Sequence, residues 1–254
     1  MDSIASKIRK QLELLPEGTI FTLEDIKVPK DYKTTTKNEL GRIANKGDSI
    51  KRIEKGVYFK PKQSKFGNLP PSTRDYQVNI TRYTNNKICG YEISNGLFNR
   101  VGLTTQVPNE KYFVSNKSLP RTTCLNGGTF NVKVERRKAI TKGTAPVFEF
   151  GYILNNIKKV EDIDPDYVFP ATKNYLAFIS SEYKFNLLLS ELKGKSSIAL
   201  LGALLEEYLI ESGDFDKLKY KWIDKLRNKI SNESKYNVGR AATKLIYKKA
   251  WNLI

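Results

Sequence analysis

Apolar residues recur at helical spacing in the first segment, "SIASKIRKQLELL", where Ile4, Ile8, Leu12 and Leu15 share one side and Pro16 with Gly18 ends the run. Thr22 stands three residues before Asp25, a capping-box spacing that predicts the head of a short second helix. A polar connector, "KVPKDYK", leads to "TTTKNELGRIANKG", where Thr36, Leu40, Ile43 and Ala44 form one stripe and Gly47 supplies a C-terminal stop, predicting a third helix. In "SIKRIEKGVYFKP" the alternation of Ile50 and Ile53 with charged residues turns at Glu54 to Gly56 and returns through Val57 and Phe59, the pattern of a hairpin. The next stretch, "KPKQSKFGNLPPSTRD", has little periodicity and reads as a linker.

Beyond the linker the pattern changes twice. Short segments come first, "QVNITRY", "CGYEISNGLFNRVGL", "TTQVPN", "KYFVSN" and "TFNVKVERR", mixing strands with one helix. Phe130, Val132 and Val134 alternate with Asn131, Lys133 and Glu135, which predicts a strand with one buried face. Helical patterns follow in "ATKNYLAFISSEYKFNLLLSELKG", "SSIALLGALLEEYLIESG", "FDKLKYKWIDKLRNKI" and "VGRAATKLIYKKAWNLI". Tyr91, Phe98 and Trp251 are expected in the core. The fold class expected is therefore α+β: an N-terminal winged helix-turn-helix over 1–60, a linker over 61–75, and a mixed α/β domain over 76–254 whose C-terminal half is helical.

Charge gives this frame a direction. The formal net charge is +17, with Lys and Arg in excess along the whole chain, which suits a polyanionic partner. A solvated basic surface is the alternative reading of the same charge. The sequence contains no histidine, so Ser-His-Asp triads, Cys-His dyads and His-dependent zinc chemistry are excluded. "NGG" at 126–128 and "KGKSS" at 193–197 lack the spacing of a phosphate-cradling loop. Cys89 and Cys124 are expected to be buried free thiols. Neither a signal segment nor a membrane span is discernible, which points to a cytoplasmic protein with no membrane partner, and no cofactor or metal is expected.

On the third helix the side opposite the Leu40 and Ile43 stripe carries Thr34, Thr35, Asn38, Arg42 and Lys46, with Lys37 beside them. Hydroxyls, an amide and cationic groups suit base edges and phosphates. Lys51, Arg52 and Lys55 on the hairpin would meet phosphate, where charge adds affinity and little sequence information. Winged helices also mediate protein contacts, and that reading stays open. Gly41 inside the helix is a departure, costing about 1 kcal/mol relative to Ala. Lys217, Lys221 and Lys225 make a basic face on a later helix, ordinarily a solvated one.

The stretches "IRKQLELLPEGTIFTLEDI", "IANKGDSIKRIEKGVYFKPKQSKFGNLPPS" and above all "GYEISNGLFNRVGLTTQVPN" followed by "FVSN" resemble the AbiEi-type antitoxins and related transcriptional regulators of abortive-infection systems. The resemblance implies an N-terminal winged helix that represses its own operon by binding double-stranded DNA upstream of its gene. Self-association on that DNA is expected separately, because repressors gain affinity by binding paired half-sites, although no heptad marks an interface. The resemblance further implies a C-terminal domain that counteracts a cognate nucleotidyltransferase toxin. It offers no antitoxin residues to carry over. A different class, a DNA-processing enzyme such as a nuclease or nucleotidyltransferase subunit, would need clustered acids; Glu92, Glu110, Glu135 and Glu149 are the acids between 76 and 150, without D-x-D pairing.

Overall fold

The computed structural model describes residues 3–47, 49–65, 67–213 and 217–254. It is mixed α+β and divides into two compact units, residues 1–92 with 109–142, and residues 93–108 with 143–254.

The first unit begins with helix α1, Ile4–Leu14, capped by the Ser3 hydroxyl accepting from the Ser6 amide, and it buries Ile8 and Leu12. Strand β1, Ile20–Thr22, follows. The capping box expected at Thr22 and Asp25 is formed, but what it heads is a single 3-10 turn, Leu23–Asp25. A second such turn, Lys30–Tyr32, leads into helix α2, Lys33–Lys46. The expected second α-helix is thus absent: Pro29 lacks an amide to donate and disfavours helical backbone at Val28, so the segment is too short to propagate. Helix α2 ends as predicted at Gly47, whose φ of +77° is the left-handed conformation of a helix stop. Strands β2, Lys51–Glu54, and β3, Val57–Phe59, form the hairpin, and β1 pairs with β3 to give a sheet of order β1-β3-β2.

The middle of this sheet is buried on both faces. Phe21 and Tyr58 join Ile8, Leu12, Leu40 and Ile50 on the side of α1 and α2. Ile20, Val57 and Phe59 pack the other way, against Tyr76, Ile80, Phe113, Phe130 and Val132. The second set comes from helix α3, Thr73–Thr81, and from a four-stranded sheet of β6, Gly90–Ile93, β7, Glu110–Ser115, β8, Thr122–Leu125, and β9, Gly128–Val134, in the order β6-β7-β9-β8. The compact units therefore do not follow the expected division at 61–75. A three-stranded sheet with apolar residues on both faces cannot stop at Lys60, and it recruits the next layer. The expected linker itself forms a small hairpin, β4, Lys62–Ser64, with β5, Gly67–Leu69, and Ser72 then caps α3. "QVNITRY" falls largely in α3, whose S-x-x-D capping box is intact.

A buried ion pair ties the two layers. Lys117 Nζ lies 2.9 Å from Asp25 Oδ2 with both side chains fully enclosed, and it donates to the carbonyls of Asn79 at 3.0 Å and Arg82 at 3.1 Å. Asp25 in turn accepts from the Thr22 amide and hydroxyl and, on its other oxygen, from the Thr84 amide at 2.9 Å.

The second unit carries helix α4, Ser94–Arg100, and helices α5, Ala145–Asn156, α6, Pro165–Phe178, α7, Glu182–Glu191, α8, Lys195–Ser212, and α9, Lys217–Arg227. Helix α8 buries residues on all sides, Leu200, Leu201, Leu204 and Leu205 among them, as a central helix must. The segment expected to run from Ala171 to Gly194 is broken into α6 and α7, with Ser181 capping the second. The expected start of α9 at Phe215 and Asp216 lies outside the described residues. The closing segment is not α-helical: Gly239 and Asn252 adopt positive φ, and only the 3-10 turns Gly239–Ala242 and Lys249–Trp251 form. Val238, Leu245 and Leu253 of this segment are buried all the same, as are Tyr91, Phe98 and Trp251, whereas Ile246 and Ile254 are exposed. Trp251 lies against Gly202, where an added Cβ would stand 2.2 Å from the indole, and donates to Glu206 at 3.0 Å.

Two expectations are corrected. Val134 at the end of β9 is exposed, although Phe130 and Val132 are buried, because the buried face ends one residue pair earlier. Cys124 is an exposed free thiol on β8; Cys89 is the buried one, its thiol pushed up to about 11 by burial.

Replacing Lys117 with Met should cost about 3–5 kcal/mol in equilibrium unfolding, because it leaves the Asp25 carboxylate enclosed without a counter-charge. Gly202→Ala should cost about 1–3 kcal/mol in the same measurement, since the methyl overlaps the Trp251 ring and the core must shift to admit it.

Candidate nucleic-acid interface

Helix α2 is held by one stripe and presents the other. Thr36 and Leu40 are fully buried, and the Thr36 hydroxyl donates to the Tyr32 carbonyl at 2.8 Å, so the helix is anchored along that side. Thr34, Asn38 and Arg42, spaced by four, form an exposed row on the outward side. At about 1.5 Å per residue this row spans about 12 Å, a length that a major groove accommodates. Thr35, Lys37 and Lys46 are exposed beside it. A Cβ at Gly41 would meet nothing within 4 Å, so no packing demand explains that glycine.

The hairpin brings the remaining expected residues into the same unit. Lys51 and Arg52 are exposed on β2, and Lys55 is exposed at the two-residue turn with Gly56, whose φ is +82°. The Arg52 Nε donates to the Glu54 carbonyl at 3.2 Å, across the irregularity between Arg52 and Glu54 in the pairing with β3. Thr34, Thr35, Lys37, Asn38, Lys46, Lys51 and Lys55 have no side-chain hydrogen bond or ion pair with a described residue.

Arg42 is different. Its Nε donates to Glu39 at 2.9 Å and its Nη2 donates at 2.7 Å, a bidentate pair one helical turn long, and Arg9 from α1 reaches the same carboxylate at 3.1 Å. Hydrogen bonding from Arg42 first, with Arg9 adding to it, holds the Glu39 carboxyl down to about 2. The pair orients the guanidinium and leaves its outer Nη1 edge for an incoming acceptor. The E-x-x-R spacing was in the sequence; the third partner, 30 residues away, was not visible there.

Two basic concavities flank α2. One, of about 820 Å³, is bordered by Lys30, Lys33, Lys37, Lys55 and Arg136, together with Glu24, which pairs with Arg136 at 3.7 Å. The other, of about 540 Å³, is bordered by Arg9, Arg42, Lys46 and Lys60, together with Glu13 and Glu17. Sequence reasoning missed Lys30, Lys33 and Arg136. An i, i+4 relation to Lys37 marks Lys33, whereas Arg136 is brought in only by the second sheet. Lys60, inside the basic stretch, is committed elsewhere: its ammonium caps α1 through the carbonyls of Leu12, Glu13 and Leu15 at 2.9, 2.8 and 2.7 Å.

Other candidate residues are not gathered. Glu110 accepts from Tyr112 and Asn131, and Glu149 pairs with Arg100 and Tyr175. No group of three or more Cys, Asp or Glu able to hold a metal ion occurs among the described residues. Thr104 and Thr105, in the "GLTTQVPN" stretch, are held by Asp162, at 2.6 and 3.3 Å through their hydroxyls. On α9, Lys225 is paired with Glu182 at 3.2 Å, so the basic face there is interrupted. No described helix is long and apolar enough to cross a membrane.

Residues 7–148 match the model of a family of unknown function, DUF6088, a stretch that runs through the first unit into α5. No curated protein and no solved structure matches the chain.

The Glu39 pair stabilises above the ordinary carboxylate pKa of 4.5, and that contribution is lost as pH falls from there toward 2. Acid unfolding of wild type and Glu39→Gln should therefore converge as pH drops through this window, with wild type the more stable at neutral pH.

Proposed function

The chain belongs to the DUF6088 family, and we propose that it is a non-enzymatic, DNA-binding transcriptional repressor whose α2 enters the major groove while the β2–β3 hairpin rests on the adjacent backbone. The observation that carries this reading is the exposed Thr34–Asn38–Arg42 row on α2, with the cations of Lys51, Arg52 and Lys55 displayed by the hairpin of the same unit. The order α1, β1, α2, β2, β3 with a β1-β3-β2 sheet suits a winged helix in which the second helix has shrunk to 3-10 turns. Base contacts from Asn38 and Arg42 would specify sequence, and Thr34, Thr35, Lys37, Lys46 and the hairpin cations would fix register on phosphate.

The resemblance to AbiEi-type antitoxins extends the proposal. On that reading the protein acts in the cytoplasm, represses its own operon and counteracts a nucleotidyltransferase toxin, and copies bind side by side on DNA. The antitoxin role rests on the resemblance alone, and no residues are assigned to it.

A gel shift against the duplex upstream of its own gene, with a shuffled duplex as control, tests the repressor reading. Preference for its own sequence should persist from about 50 to 200 mM salt, while affinity for both duplexes falls. Asn38→Ala and Arg42→Ala should each cost about 1–3 kcal/mol on the native sequence alone, whereas Lys51→Ala and Lys55→Ala should weaken both duplexes and each lower the salt slope by about 1. Equal affinity for the two duplexes at every salt concentration would refute sequence-specific repression.

A further inference from the structure

The second unit contains a cavity that the repressor reading does not use. It lies at the head of α8, between the start of that helix, the 3-10 turn Ile157–Lys159 and the segment around Asn237, and it measures about 270 Å³. Its lining includes Lys158, Lys193 and Lys195 and no carboxylate. Helix α8 is 18 residues long, and no side chain caps its N-terminus, which begins at Gly194. The amides of Ser197 and Ile198 donate to the Gly194 carbonyl at 3.1 and 3.2 Å, which leaves those of Lys195 and Ser196 without a backbone acceptor among the described residues, and the macrodipole adds positive potential at this end.

A second feature is independent of the helix end. Ser197, in the first turn, is 7% exposed and lines the cavity, yet its hydroxyl has no hydrogen-bond partner among the described residues. The hydroxyl opens on the cavity with its donor uncommitted, so it can meet an acceptor that arrives from outside. A serine hydroxyl, the amides of Lys195 and Ser196 and the three lysines are donors of the kind that a tetrahedral oxyanion takes, and no carboxylate lines the cavity to repel it. The volume falls just below the ordinary range of small-molecule sites, about 300–1,000 Å³, and suits a phosphoryl group with a small substituent better than a dinucleotide.

We propose that this cavity binds the phosphoryl group of a small phosphate ester, with Ser197 and the head of α8 as its polar floor and Lys158, Lys193 and Lys195 as its rim. The site does not depend on DNA binding by the first unit. It is the place where "KGKSS", which lacks the glycine spacing of a nucleotide loop, still supplies phosphate-binding chemistry.

Calorimetric titration of the full chain with inorganic phosphate, and separately with adenosine monophosphate, at constant ionic strength tests it. Saturable one-to-one binding is expected. The Ser197→Ala, Lys195→Gln double variant should weaken it about tenfold or more while leaving the ligand-free melting temperature unchanged, and Lys221→Gln on α9 should leave affinity as it is. Tighter binding of the monophosphate than of phosphate would assign the ester, and equal binding would assign the phosphoryl group alone. No saturable binding, undiminished binding by the double variant, or equal weakening by Lys221→Gln would overturn the site in favour of diffuse attraction to a chain of net charge +17.

Discussion

An enclosed lysine ammonium needs three acceptors, and Lys117 finds them in the Asp25 carboxylate and the carbonyls of Asn79 and Arg82. That arrangement joins the two layers of the first unit. Asp25 belongs to the turn that leads toward α2, Asn79 and Arg82 to α3 and its exit, and Lys117 to the segment after β7. One ion thereby joins three parts of the chain that lie far apart in sequence. Apolar contact is non-directional, whereas a desolvated ion tolerates little displacement before it loses a partner. Helix α2, rooted through Thr36 and Leu40 in the adjoining core, is held at a defined orientation relative to the hairpin. A rigid pairing of helix and hairpin is what a groove-reading element requires.

The same reasoning separates cations that hold the fold from cations that face solvent. Lys117 and Lys60 are internal fasteners, one on an ion pair and one on a helix end. Arg42 is intermediate, oriented by Glu39 yet still presenting an edge. Lys37, Lys46, Lys51 and Lys55 have no such duty with a described residue. Net charge alone does not make this distinction, and a count of Lys and Arg in residues 41–61 overstates what an outside polyanion would meet. Glu39 has a second consequence under the proposed function: a carboxylate beside the exposed row would disfavour phosphate at that spot and favour ligands that meet Arg42 by hydrogen-bond geometry.

Much of the first sixty residues was legible because its signals are local. The Ile4, Ile8, Leu12 stripe, the Thr22 to Asp25 capping box and the Gly47 stop each act within a few residues, and each is found where the pattern places it. Errors arose where local pattern and tertiary demand part. Val28 and Pro29 end what the capping box began. The stretch after Lys60 is polar enough to read as a linker, but the back of the β1-β3-β2 sheet needs cover, and the chain forms β4, β5 and α3 instead. In the closing segment an apolar stripe of helical spacing was real as burial and misleading as helix, since Gly239 and Asn252 turn the backbone out of register. All nine residues expected to face DNA are exposed on α2 and the hairpin, but the hydrogen bond from Arg9 to Glu39, and the place of Arg136 beside the flanking concavity, are made by distant parts of the chain and left no trace in local spacing.

The central claim is that α2 and the β2–β3 hairpin form one reading surface. Amide hydrogen exchange on the intact chain, with and without the duplex upstream of its gene, tests that claim most directly. The account predicts that added protection concentrates in residues 33–46 and 51–57, with little change in α8 and α9. Protection confined to the second unit, or none beyond that given by a shuffled duplex, would contradict it.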